Sequence, residues 1–218
     1  MTLVHSLTNY VERSLLPDLE IESISAVDPI VAHYIPEPWH LLGCGNYAAV
    51  VTHPDFPDLV VKVYAPDRPG IEAETQVYQR LGDHPAYATC EYVGPNYLIL
   101  TRLQGITLYN CLHLGKRIPS QVIRDIDAAL AYARSRGLFP HDVHGKNVMM
   151  LGNHGLVVDV SDFLHQEDCH AWRDLCWAYY WLYRPLFYPL GLRMPYWALD
   201  CLRASYRKSR RLLRLLTG

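Results

Sequence analysis

At 218 residues, half of them hydrophobic and 19% charged, the chain can bury a core without disulfide or metal staples, and it is too apolar to be generally disordered. Its most apolar run, Leu175 to Tyr183, falls well short of the ~20 residues needed to cross a bilayer, so no transmembrane insertion is expected. The net charge of −2 is uneven: residues 201–218 carry six Lys/Arg and no acid, while the first 200 residues carry 14 basic against 22 acidic groups.

The opening residues, MTLVHSLTNYVERS, hold no basic stretch followed by an apolar run, so no signal peptide is expected. The six cysteines form no CxxC, which suits reduced thiols in a cytoplasmic protein. Residues 1–38 close on Pro36-Glu37-Pro38 and read as an N-terminal extension. From Trp39 the pattern predicts strands: His40–Leu42, a turn at Gly43-Cys44-Gly45-Asn46, then Ala48–Val51. Leu59–Tyr64 is a β-branched apolar strand, and Ile71 to Leu81 a helix closed by Gly82. Strands are expected near Glu91–Val93 and Tyr97–Thr101. Beyond Ser120 the period changes: Val122, Ile123, Ile126, Ala129, Leu130 and Ala133 form a helical stripe that Gly137 stops. Val148–Leu151 and Leu156–Val160 read as a hairpin about Gly152–Gly155, and helices are expected over 168–183 and 195–216. A β-rich first half and a helical second half predict an α+β chain with two lobes, residues 39–103 and 104–218.

Several residues carry chemistry in this order. Gly43-x-Gly45 lies between two strands, which suits either a plain hairpin turn or a backbone cover over phosphates. Lys62 sits inside an apolar strand. It reads either as the wet face of an alternating strand or as a lysine that grips phosphates and is held by a carboxylate. Glu74 lies beside the inward stripe of the next helix and is the candidate carboxylate, whereas Glu72 suits the solvated first turn. Asp142-x-x-x-x-Asn147 occupies a loop after a helix. Asp142 can accept a hydroxyl proton, and Asn147 and Asp159 offer hard oxygens of the kind Mg2+ prefers. His141 and His144 lack further ligands at zinc spacing.

Taken together, Gly43, Gly45, Val50, Lys62, Glu74, Asp142, Asn147 and Asp159 follow one another as in the protein-kinase-like superfamily, which the chain resembles over residues 39–185. GNYAAVVTHPDFPDLVVKV, HDVHGKNVMM and VVDVSDF look most like the early protein kinases of short-tailed bacteriophages and the atypical RIO-type serine/threonine kinases. The resemblance implies a two-lobed kinase fold with a reduced helical C-lobe, ATP and Mg2+ as cofactors, and phosphoryl transfer to Ser or Thr of a protein substrate. It implies Asp142, Lys62 and Glu74 as catalytic residues. Gly43, Gly45, Val50, Lys62, Leu100 and Leu103 would lie about the nucleotide, with Asn147 and Asp159 on the metal. Asp174 resembles the aspartate that braces the catalytic loop, and is equally a helix N-cap. The chain departs from the pattern at Ala48, where a third glycine is usual, at Pro140, where a histidine is usual, and at Val160-Ser161, which follow Asp159 in place of Phe-Gly. Only fourteen residues separate Asp159 from Asp174, too few for an ordinary activation segment.

Two other functions fit parts of the pattern: a small-molecule kinase of the aminoglycoside or choline type, and an ATP-binding partner module of a larger complex. The basic tail reads as a terminal helix that packs its leucines on the C-lobe, or as an arm for RNA, an anionic lipid surface or an acidic partner. Cys44 reads as a small filler or as a reactive thiol.

Overall fold

The computed structural model describes residues 3–25, 28–167 and 169–217, with side chains up to Ser209. The chain divides into two compact units. Unit 1 comprises Met1–Gln104, Ala129–His141 and Val158–Asp168; unit 2 comprises Gly105–Ala128, Asp142–Val157 and Cys169–Gly218.

Unit 1 begins with a helix, α1 (Leu3–Tyr10), that runs into a π-helical turn over Val11–Leu15. Strands β1 (Glu20–Glu22) and β2 (Val31–Tyr34) pair antiparallel. They are followed by β3 (His40–Cys44), β4 (Ala48–Thr52), β5 (Leu59–Tyr64), helix α2 (Ile71–Leu81), β6 (Cys90–Val93) and β7 (Tyr97–Thr101). These five strands form one antiparallel sheet in the order β3-β4-β5-β7-β6. Successive side chains leave a strand on opposite faces, so Val61 and Val63 point one way and Lys62 the other.

The Val61 face packs against the N-terminal residues. Leu7, Val11 and Leu15 join Val51, Val61, Val63, Tyr97 and Ile99 in one buried cluster. Trp39 Nε1 donates to Ser14 Oγ at 3.2 Å, and Tyr97 OH to Glu12 Oε1 at 3.4 Å. The expected extension over 1–38 is therefore the back wall of the sheet. Its apolar residues recur every four positions, which is a helical stripe. The later segments of unit 1 add buried Leu130, Ala133, Leu138, Val160 and Phe163. Tyr87 OH donates to the Ala129 carbonyl at 2.8 Å, and Tyr132 OH to that of Leu81 at 2.6 Å.

Unit 2 contains β8 (Ile106–Thr107) and α3 (Leu108–Leu114), which Thr107 caps by accepting from Asn110 N and Gly115 ends at φ +67°. It also holds the first part of α4 (Ser120–Ser135), the strands β9 (Val148–Leu151) and β10 (His154–Val157), and the helices α5 (Ala171–Ala178) and α6 (Tyr196–Thr217). Strands β10-β9-β8 form a small sheet.

The hairpin departs from expectation. His154 pairs with Leu151, so the turn is only Gly152-Asn153 and β10 ends at Val157, two residues before Asp159. Asp125 fixes this register, its Oδ2 accepting from Gly155 N at 3.2 Å and lying 3.0 Å from His154 Nδ1. Gly155 is required there, because a Cβ would come within 2.3 Å of the Val122 carbonyl. The helix expected over 168–183 starts at Ala171 and continues past Ala178 as a π-helical stretch, Tyr179–Phe187. Pro185 lies inside it and has no N–H to give to the preceding turn; the bonding resumes with Tyr188 N donating to the Tyr183 carbonyl, five residues back, at 2.8 Å. The expected tail helix is α6. The packing of Leu212, Leu213, Leu215 and Leu216 lies outside the described side chains.

Candidate active site

In unit 1 the side of the sheet opposite the N-terminal helix carries a charged network. Lys62 stands on β5 between its cross-strand neighbours Val50 on β4 and Leu98 on β7. Its Nζ lies 2.8 and 2.7 Å from the two oxygens of Glu74, on the inward face of α2. Glu74 is fully buried, and Tyr64 OH also donates to it. A buried carboxylate is tolerable only when paired and hydrogen-bonded, and here it is both. Lys62 is not on a wet strand face: its side chain is only 12% exposed and is held by Glu74.

Asp159 completes the network, its Oδ1 lying 3.5 Å from Lys62 Nζ. Ser161 clamps that oxygen twice, through its N–H at 3.1 Å and its hydroxyl at 2.9 Å. Ser161 thus orients the carboxylate, a role the sequence pattern did not reveal. Burial pushes the Asp159 carboxyl up, but Lys62 and the Ser161 donors pull it net downward. Burial likewise opposes the charged Lys62, but Asp159 and Glu74 together hold its pKa above the ordinary lysine value. Burial first, then the Glu74 charge, drives the Tyr64 and Tyr78 phenols upward, so both remain donors.

The turn expected at Gly43–Asn46 is displaced: β3 runs through Cys44, with Gly43 opposite Val50, and residues 45–47 join it to β4. Ile30 N donates to the Gly45 carbonyl, and Gly45 N to that of Ala48, both at 2.9 Å. A Cβ at Gly43 would meet nothing within 4 Å, and one at Gly45 only the Ala48 carbonyl at 3.8 Å. The chain's own packing therefore does not demand glycine at either position. Ala48 is a buried strand residue rather than part of the turn. Burial pushes the Cys44 thiol up against a weaker opposing hydrogen bond from Ala32, so Cys44 is a protonated filler. Leu100 is buried on β7 and Leu103 half-buried just beyond it.

Unit 2 carries the other expected residues. Asp142 has φ +52°, a left-handed conformation sparsely populated by residues other than glycine. Its N–H donates to Cys169 Sγ at 3.3 Å, and its carbonyl accepts from Asn147 Nδ2 at 3.1 Å. The loop is tightened further by Asn147 N donating to the His144 carbonyl at 2.8 Å. The Asp142 carboxylate is half exposed, with His144 Nε2 at 3.7 Å. With Nδ2 committed to the loop, Asn147 presents its Oδ1 as an acceptor. Lys146 lies 4.2 Å above the Tyr109 ring and 3.6 Å from Asp200. Asp174 accepts from Tyr206 OH at 2.8 Å.

Among the described residues no three His, Cys, Asp or Glu side chains are grouped to hold a metal. Each unit offers one hard oxygen ligand, the Asp159 carboxylate in unit 1 and the Asn147 amide in unit 2; ligands of that kind suit Mg2+ better than a transition metal.

No family model matches the chain. It is 29% identical over 152 residues, 69% of this chain and 70% of the relative, to a Bacillus subtilis (strain 168) protein named "Putative serine/threonine-protein kinase YrzF". Among solved structures it aligns with Rad53 in complex with AMP-PNP at 17% identity and TM-score 0.46, covering 65% of this chain and 38% of that one. It aligns with the Mycobacterium tuberculosis PknI kinase domain at 23% identity and TM-score 0.41, covering 63% and 60%. The chain thus spans less than two thirds of each of these two structures. The chain is thus similar in sequence to a protein named as a kinase, and its own structure shows an α+β architecture with a strand lysine held by a helix glutamate.

Proposed function

We propose that the chain is a compact kinase that transfers the terminal phosphoryl group of ATP to Ser or Thr of a protein substrate. The observation that carries this reading is the buried Lys62–Glu74 pair with Asp159 beside it. A lysine held above its ordinary pKa keeps its charge at any physiological pH and can neutralise the α- and β-phosphates. Glycines at 43 and 45 leave the loop backbone bare for close approach to phosphate. Val50, beside Lys62, would line the nucleotide, with Leu100 and Leu103 against adenine. Asp159 in unit 1 and Asn147 in unit 2 are the candidate Mg2+ ligands, and the metal would supply charge neutralisation at the phosphates. Asp142 would align the acceptor hydroxyl and receive its proton late in the transfer.

The reading is tested by incubating the purified chain with γ-labelled ATP and Mg2+, first with a lysate and then with aminoglycoside and choline acceptors. Mass spectrometry then locates the label. Label on Ser or Thr of protein, absent with Asp142→Asn, is the expected result. Label confined to a small molecule would replace the protein substrate. No transfer with retained ATP binding would leave a nucleotide-binding partner module.

A further inference from the structure

One face of unit 2 plays no part in the proposed phosphoryl transfer. Along α5 and the π-helical stretch, Trp172 and Tyr179 are buried, Trp172 Nε1 donating to Asp127 at 2.6 Å and Tyr179 OH to the Ile118 carbonyl at 2.8 Å. The opposite stripe, Arg173, Trp177, Tyr180, Trp181 and Arg184, is exposed along its length. Trp177 and Trp181 are 59% and 68% exposed, Leu190 beyond them 70%, and Trp197 at the start of α6 72%. One exposed indole needs no explanation. Three of the chain's five, within residues 177–197 and together with exposed Leu182, Leu186 and Leu190, mark a surface that something else covers.

Charge selects the occupant. Residues 175–218 hold eight Lys/Arg and a single acid, Asp200, whereas residues 1–174 hold 12 basic against 21 acidic groups. Asp200 is itself engaged, accepting from Tyr109 OH at 2.6 Å with Lys146 at 3.6 Å. A second copy would have to set this basic segment, with Arg173 and Arg184 on the stripe itself, against its own like, at a cost in like-charge repulsion. RNA would satisfy the arginines but leave the leucines wet. A bilayer interface accepts both: indole and phenol rings lie at the headgroup–acyl boundary, and guanidinium groups meet lipid phosphates. We propose that this face docks unit 2 on an anionic lipid surface, independently of whether the chain transfers phosphate.

The test sediments the full chain with vesicles of phosphatidylcholine alone or mixed with phosphatidylglycerol, without ATP. Binding only to the mixed vesicles is expected, with a blue shift of tryptophan emission and weakening by salt. Arg173→Gln and Arg184→Gln should each weaken partitioning about fivefold. The pair Trp177→Ser and Trp181→Ser should weaken it roughly tenfold while leaving activity in solution intact. Equal binding to neutral vesicles, or none to mixed ones, would overturn the proposal. So would preferential capture of a single-stranded RNA oligomer at the same salt, or a dimer that buries these tryptophans.

Discussion

Glu74 is completely buried and is held by both Lys62 and Tyr64. Removing its carboxylate strands an ammonium in a nearly dry site, so Glu74→Ala should cost about 3–5 kcal/mol in urea unfolding. Adding Lys62→Met should restore part of that stability while activity stays lost. Asp142, half exposed, should behave differently: Asp142→Asn should lower kcat by roughly 10²–10⁴ with ATP affinity and stability little changed. Ser161→Ala separates orientation from charge. It removes one donor to Asp159, worth about 1.5–3 kcal/mol when the acceptor is charged, and should weaken Mg2+-dependent ATP binding by tenfold or more in calorimetry. His53 supplies a pH signature. It is buried among Tyr10, Trp39 and Phe56, and burial lowers its pKa from the ordinary 6.5, with Asp55 opposing and His40 assisting. The unfolded chain therefore binds the proton more tightly. Stability is full above pH ~6.5 and falls as the pH drops from there through the lower folded value. The thermal midpoint should decline across that window, and His53→Gln should flatten the decline, leaving the part due to His84, whose pKa burial also lowers against the opposing Asp83 charge.

At the scale of elements, α1 and its π-helical turn show most clearly what sequence reading missed. The stripe Leu7, Val11, Leu15 was present, but it spans only two helical turns before Pro17, and the Pro36–Pro38 break drew the boundary elsewhere. What it covers is decided by tertiary partners that no local pattern names. Leu15→Ala should cost about 2–5 kcal/mol, as for a fully buried leucine, measurable as a shifted urea midpoint. Helix α2 and strand β5 were legible because pattern and boundary agreed: Gly82 stops the helix at φ +62°, and the apolar run about Lys62 is a central strand. Helix α3 has a cap residue at Thr107 and a left-handed glycine at Gly115, yet its seven residues are too short for a period to stand out. The polar groups of the candidate site were legible from type and order. Their supports, Tyr64 on Glu74 and Ser161 on Asp159, were not, because nothing in a sequence says which hydroxyl reaches a given carboxylate.

For the whole molecule, nucleotide binding should appear as added stability. At an ATP concentration about 100 times its Kd, with Mg2+ present, the gain is roughly 2.7 kcal/mol, read as an upward thermal shift. Asp159→Ala should remove most of it and Asp142→Asn should not. An unshifted wild-type midpoint with ATP and ADP, with or without metal, would count against any nucleotide role. No helix among the described residues is long and apolar enough to cross a membrane.

The division of unit 1 into three stretches of chain has a consequence during synthesis. Leu7, Val11 and Leu15 are made first, but Tyr97 and Ile99, which they pack against, come more than eighty residues later, and Ala129 and Phe163 later still. At about 5–20 residues per second, on the order of 10 s separate Leu15 from the last strands of polypeptide that close this unit. Residues 1–104 on the ribosome should therefore remain protease-sensitive. Resistance should arise only after Phe163 has cleared the exit tunnel, so that unit 1 closes well after its sheet has been made.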